Sequence, residues 1–159
     1  MSEQIVSDIK FEIEQIDKLL ETYTDLLAKA QTGKPDLVET TAIGSVLHSF
    51  YNGLENVFLA IAKGIDRNVS AGSQWHRDLL NQMAQSTTRR KAILSASTAE
   101  SLTDYLSFRH FFRHSYSFYL DWEELEELVT PLVDIWGRTK NELQDFLETL
   151  SDKENKSSE

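Results

Sequence analysis

The chain reads as an all-α protein, an antiparallel bundle of about four to five helices. Three observations predict this. Apolar residues recur at steps of three and four over long stretches, glycine (six) and proline (two) are scarce in 159 residues, and no alternating strand pattern of useful length is present. Apolar stripes of this width must be buried against one another, and a chain of this length suits one core rather than two.

Taken in order, Ile5, Ile9, Ile13, Ile16, Leu20, Tyr23 and Leu27 form one stripe of an amphipathic helix that should stop near Gly33-Lys34-Pro35. A second stripe, Ile43, Leu47, Phe50, Leu54, Val57 and Ile61, predicts a helix ending between Gly64 and Asn68. Asn68 to Ser73 reads as a loop, followed by a short helix carrying Trp75, Leu79, Leu80 and Met83. Ser86 to Ser97 is polar and basic and has no clear assignment; Ser97 or Thr98 then reads as the N-cap of a helix with Leu102, Tyr105, Leu106 and Phe108. Asp121, with Glu124 three residues on, has the capping-box pattern at the start of a last helix. That helix carries Trp122, Leu125, Val129, Leu132, Trp136, Leu143 and Leu147, with Pro131 expected to kink it. Residues 1–150 are thus expected to form one helical domain, and 151–159 a polar, disordered tail.

Composition narrows the function. There is no cysteine, which excludes disulfides and thiolate metal sites. No apolar run reaches the roughly 20 residues that span a bilayer, and the acidic opening does not read as a targeting peptide. A soluble, cytoplasmic protein with no membrane partner is the expectation. The net charge of −10 argues against a nucleic-acid binder as a whole-chain figure. By segment it is uneven: Ala62 to Ser115 holds eight Lys/Arg against four Asp/Glu, a local +4, while the remainder carries −14. That is either the ordinary scatter of a solvated surface or an anion-binding patch on an acidic body. Charge alone does not choose.

No GxGxxG, P-loop, HExxH or GxSxG pattern is present, so dinucleotide, phosphate-loop, zincin and hydrolase-elbow chemistries have no support. The anomalous stretch is Ser107-Phe108-Arg109-His110-Phe111-Phe112-Arg113-His114-Ser115-Tyr116, which sets two arginines and two histidines among phenylalanines. His110 and His114 share a helix face, as metal-binding pairs do, but their neighbours are cationic and no metal is expected. Arg109 and Arg113, also four apart, fit phosphate better, because guanidinium is a permanent bidentate donor and imidazole exchanges protons near neutrality. Together these groups suit RNA cleavage without a metal or other cofactor. The 2′-hydroxyl attacks the adjacent phosphate, a base takes its proton and a cation stabilises the pentavalent transition state. A regular helix places Arg109 and His114 about 140° apart, so convergence needs a helix end, a bulge or a partner chain; Arg109 and Tyr116 fall within about 20° if the helix continues. The plainer reading makes these the rim of a helix whose phenylalanines fill the core.

The motif Arg109-His110-Phe111-Phe112-Arg113-His114 resembles the Arg-x4-His signature of HEPN ribonucleases, and Ser115-Tyr116 extends it to Arg-x4-His-x-Tyr. The extended form is similar to the HepT-like toxins of HEPN/minimal-nucleotidyltransferase toxin–antitoxin modules. So are Ser49-Phe50-Tyr51-Asn52-Gly53-Leu54-Glu55-Asn56-Val57-Phe58 and Gly72-Ser73-Gln74-Trp75-His76-Arg77-Asp78-Leu79-Leu80. The likeness covers about Ala42 to Asp121. It implies a HEPN-like fold paired as a homodimer and a type VII-like toxin that cleaves RNA, whether tRNA or mRNA, through Arg109 and His114. His110 and Arg113 would support them. It further implies a nucleotidyltransferase antitoxin that transfers AMP to Tyr116. The rival reading is a non-catalytic HEPN module that binds nucleotide or substrate for the transferase. Glu55, with Tyr51, Phe58 and Leu59 one turn away, is expected to be half-buried and to orient Arg109; the alternative is an ordinary surface carboxylate.

Overall fold

The structure, a computed structural model, describes residues 2–116 and 119–157. It is all-helical, with seven α-helices and one π turn among these residues: α1 (Ser2–Thr22), α2 (Thr24–Thr32), α3 (Leu37–Ile61) running into the π turn Ala62–Asp66, α4 (Trp75–Met83), α5 (Ala96–His114), α6 (Trp122–Val129) and α7 (Leu132–Ser157). The excess over four to five comes from two interruptions. At Tyr23 the backbone leaves helical angles (φ −103°, ψ 16°), flanked by Thr22 and Thr24, whose hydroxyls donate back to the carbonyls of Lys18 and Leu20. Such back-bonding competes with the helical ladder and bends it. At Pro131 the last helix does not kink but divides: α6 ends at Val129, capped by Thr130 whose N–H still reaches the Glu126 carbonyl, and α7 starts directly after the proline. A proline is well placed there, where its missing N–H costs nothing.

The caps explain the remaining boundaries. Asp36 and Glu39 form a reciprocal capping box, so α3 begins at Leu37, six residues before its apolar stripe. Gly33 is the extended residue that ends α2. The N-cap of α5 is Ser95, not Ser97 or Thr98: its hydroxyl accepts from the Thr98 N–H, and the Thr98 hydroxyl donates to Glu142 at 2.6 Å. Asp121 caps α6 through the Glu123 N–H at 3.0 Å, and no return bond from Glu124 is made among the described residues. The helical backbone of α7 continues to Ser157, where a polar tail is expected from 151 on; residues 158 and 159 lie outside the described residues.

One core runs from Ile9 to Leu150, with α3 at its centre, in contact with α1, α2, α4, α5 and α6. Gly53 lets α1 approach α3 closely, since a Cβ there would stand 2.8 Å from Ile16 Cγ1. Phe50 meets Tyr105 of α5 and Trp136 of α7 edge-on, and Trp136 and Lys140 both donate to Asp17 of α1. This frame holds α3, α4 and α5 side by side, and the cationic cleft opens between α4 and α5. Among the described residues no helix is long and apolar enough to cross a membrane.

Candidate functional site

The α3 positions 48, 52 and 55 fall on one helix face and bring His48, Asn52 and Glu55 beneath α5. From α5, Arg109 reaches down to them: its Nε donates to Asn52 Oδ1 at 2.6 Å, and its Nη2 lies 3.6 Å from Glu55 Oε1. Asn52 is held in turn, its Nδ2 donating to His48 Nδ1 at 3.3 Å. The His48 ring lies against Phe112, 5.1 Å between centroids. Burial, followed by the charges of Arg109 and Arg113, lowers the His48 pKa below that of an ordinary histidine, which keeps the ring neutral.

Glu55 is more deeply placed than the half-buried position expected: it is 5% exposed. Besides Arg109 it takes a hydrogen bond from α4, where His76 Nδ1 donates to Oε2 at 2.8 Å. One carboxylate oxygen therefore serves the arginine and the other the histidine. The buried Tyr51 hydroxyl has no hydrogen-bond partner among the described residues, and burial, reinforced by the Glu55 carboxylate, raises its pKa above the usual phenol value.

Arg109, His110, Arg113 and His114 line one cleft of about 610 Å³ together with Ser73, Gln74, Trp75, His76 and Arg77 from α4 and its approach, and with Leu106 and Ser107. The His110 and His114 rings are 4.6 Å apart on its exposed wall. Arg109 and His114 therefore share this cleft although α5 is regular from Ala96 to His114, with neither a bulge nor an end between them. A comparable groove between α1 and α7 (580 Å³) is lined by Glu14, Asp17, Glu148 and Asp152 against Lys10 and Lys140, an acidic surface unsuited to phosphate.

One expectation is corrected. The helix does not continue to Tyr116, so the alignment with Arg109 that a continuing helix would give does not apply: α5 ends at His114, Ser115 is extended (φ −121°, ψ 152°), and Tyr116 is 72% exposed. The charge of the middle third left two readings open, and the structure shows that not all of its basic residues reach the cleft. Arg90 is buried and paired with Asp66, away from the cleft, and the cationic patch reduces to Arg77, Arg109 and Arg113 with the histidines. Sequence reasoning did not single out His48, Asn52 and His76. Asn52 and His76 lie inside the two upstream segments that resemble the family, and His48 and Asn52 share the 48/52/55 spacing with Glu55, which by itself is no different from any polar helix face.

A family model described as a HepT-like protein matches residues 42–150. The chain belongs to the HepT-like family. The cleft with Arg109 and His114, and the Glu55 that meets Arg109, lie wholly within the matched HepT-like span, and family membership associates the chain with the HEPN toxins of toxin–antitoxin systems. No curated protein and no solved structure matches the chain.

Proposed function

We propose that this HepT-like protein is a metal-independent endoribonuclease toxin, acting as a homodimer and silenced by a nucleotidyltransferase that transfers AMP to Tyr116. The observation that supports it best is the state of Arg109. Its guanidinium is held from behind by Asn52 and Glu55, while Nη1 has no protein partner among the described residues and the side chain lines a cleft shared with His110 and His114. A guanidinium aimed in advance costs little to organise around a phosphate and is strongest where charge develops in the transition state. His114 moves a proton, and His110 and Arg113 supply further donors. A second protomer would bring a second set of these groups to the same groove. Because the attacking group is the ribose 2′-hydroxyl, DNA is not a substrate.

The exposure of Tyr116 suits it to modification in trans. An AMP phosphate placed there, two residues beyond His114, would compete with RNA phosphate for the arginines. Protein incubated with total RNA in EDTA should produce fragments with 2′,3′-cyclic phosphate ends. If Arg109→Ala and His114→Ala cut as fast as the parent, the nuclease reading is wrong; nucleotide binding without any cleavage would favour the non-catalytic module. With the transferase and ATP, mass spectrometry should find AMP on the parent and none on Tyr116→Phe, and retention in that variant would move the modified site.

A further inference from the structure

We infer that His76 is the general base of the cleavage, with Glu55 as the carboxylate that positions it; this rests on the ribonuclease reading above. Glu55 is 5% exposed and fully committed: Oε2 accepts from His76 Nδ1 at 2.8 Å, and Oε1 faces Arg109 Nη2 at 3.6 Å. A carboxylate accepts hydrogen bonds and cannot donate them, so the proton of a neutral His76 ring is fixed on Nδ1. Nε2 then carries the lone pair, on the ring edge turned away from Glu55, and has no hydrogen-bond partner among the described residues. The residue lines the same cleft as Arg109 and His114, and Trp75 stacks on one face of the ring, 3.6 Å between centroids at 30°. A cleft-lining histidine with one nitrogen held on a buried carboxylate and the other unpartnered among the described residues is the arrangement a proton acceptor needs. Strand cleavage needs two proton-transfer groups, and α5 and α4 each supply one.

In this scheme His76 Nε2 takes the 2′-hydroxyl proton as O2′ bonds to phosphorus. The bond from phosphorus to the 5′ oxygen breaks, and His114 delivers a proton to that leaving oxygen. The products are a 2′,3′-cyclic phosphate and a 5′-hydroxyl, with no net change in protons once the two imidazoles re-equilibrate. Arg109 neutralises the non-bridging oxygens, so Glu55 couples the group that binds the phosphate to the group that activates the nucleophile. The charged and titratable neighbours of His76 are Glu55 from α3, Arg77 on α4, and Arg109, His110, Arg113 and His114 from α5.

The test uses the full-length protein, His76→Asn, His76→Ala and His114→Ala, with RNA and with RNA carrying a 5′-bridging sulfur at the scissile phosphate. The asparagine amide can still donate to Glu55, so Arg109 keeps its seat while the proton acceptor is lost. A thiolate leaves without needing a proton, so the sulfur substrate relieves loss of the acid but not of the base. Both His76 variants are expected to slow cleavage of RNA about 100-fold or more, with KM little changed and the rising acidic limb of the pH–rate profile flattened. On the sulfur substrate His114→Ala should recover and the His76 variants should stay slow. Parent-like rates and an unchanged pH profile in His76→Asn, in a protein whose melting temperature matches the parent, would overturn the inference, as would recovery of either His76 variant on the sulfur substrate. Failure of the parent itself to cut RNA would instead remove the ribonuclease reading beneath it.

Discussion

Arg90 and Arg109 each meet a carboxylate supplied by α3 or the turn that ends it, yet their guanidinium groups are used in opposite ways. Arg90 is saturated. Its Nε and Nη2 grip both oxygens of Asp66 at 2.7 and 2.6 Å, and its remaining donors reach the carbonyls of Gln82, Gln85 and Lys91. Both side chains of that pair are nearly inaccessible, at 2% and 3%. Arg109 has one short hydrogen bond and one longer ion pair, and the rest of its fork faces a cleft. The first arrangement ties the π turn to the irregular segment after α4 and leaves nothing for a ligand. The second keeps donors in reserve. What distinguishes a saturated arginine from one able to take a ligand is how many of its five N–H groups the protein has already used.

Substitutions can break this contrast. Arg90→Ala leaves the buried Asp66 carboxylate with no cationic partner and only the Gln82 amide, 2.8 Å from Oδ2, and should cost roughly 3–5 kcal/mol, the usual penalty for halving a buried pair. Urea denaturation measures it, and a loss of under about 1 kcal/mol would mean that the pair is not the lock described. Arg109→Ala should do the reverse, lowering RNA cleavage by about 10²–10³-fold while moving the denaturation midpoint far less than Arg90→Ala. If instead stability collapses and the surviving folded fraction cuts normally, Arg109 is the structural residue.

Smaller effects sharpen the account of how the cleft is carried. Gly53→Ala forces a Cβ against the buried Ile16 on the opposite side of α3 from the site and should destabilise by about 1–3 kcal/mol. Its cleavage rate, measured below its lowered melting temperature, should match the parent's. The smallest effect concerns His48, whose pKa is lowered on folding by burial and by Arg109 and Arg113. Between the ordinary histidine value of about 6.5 and the lowered folded value, the unfolded chain binds more protons than the native one, so stability falls as pH falls through that window. Acidification from about pH 7.5 to 5.5 should therefore cost the parent more than His48→Gln, as read from paired urea midpoints. Equal losses would show that His48 is not held neutral by its surroundings.

Much of the architecture was legible because it is local. The stripes on α1 and α3 and the apolar residues of α4 and α5 identified the elements, and Gly33 marked a true helix end. The helix breaks were less legible. Tyr23 interrupts a stripe that continues on either side of it, and Pro131 ends a helix where its position in the pattern suggested a kink. Within the site, Arg109, His110, Arg113 and His114 stood out because they crowd into one short stretch. His48 did not, and Asn52 and His76 were present only within the two upstream segments that resemble the family, since each is by itself an unremarkable polar residue of its helix.

The sequence by itself determined the helical class, the family signature and the identity of the cationic groups, because periodicity, capping chemistry and a compact motif are properties of neighbouring residues. Only the tertiary structure decided which of those cations are available. Arg90 is consumed by a carboxylate 24 residues earlier, while Arg109 is aimed by Asn52, 57 residues earlier. It also gathered His76 and Glu55, 21 residues apart and on different helices, into one pair. Such pairings depend on how α3, α4 and α5 pack, and no spacing along the chain encodes the angle at which those helices meet.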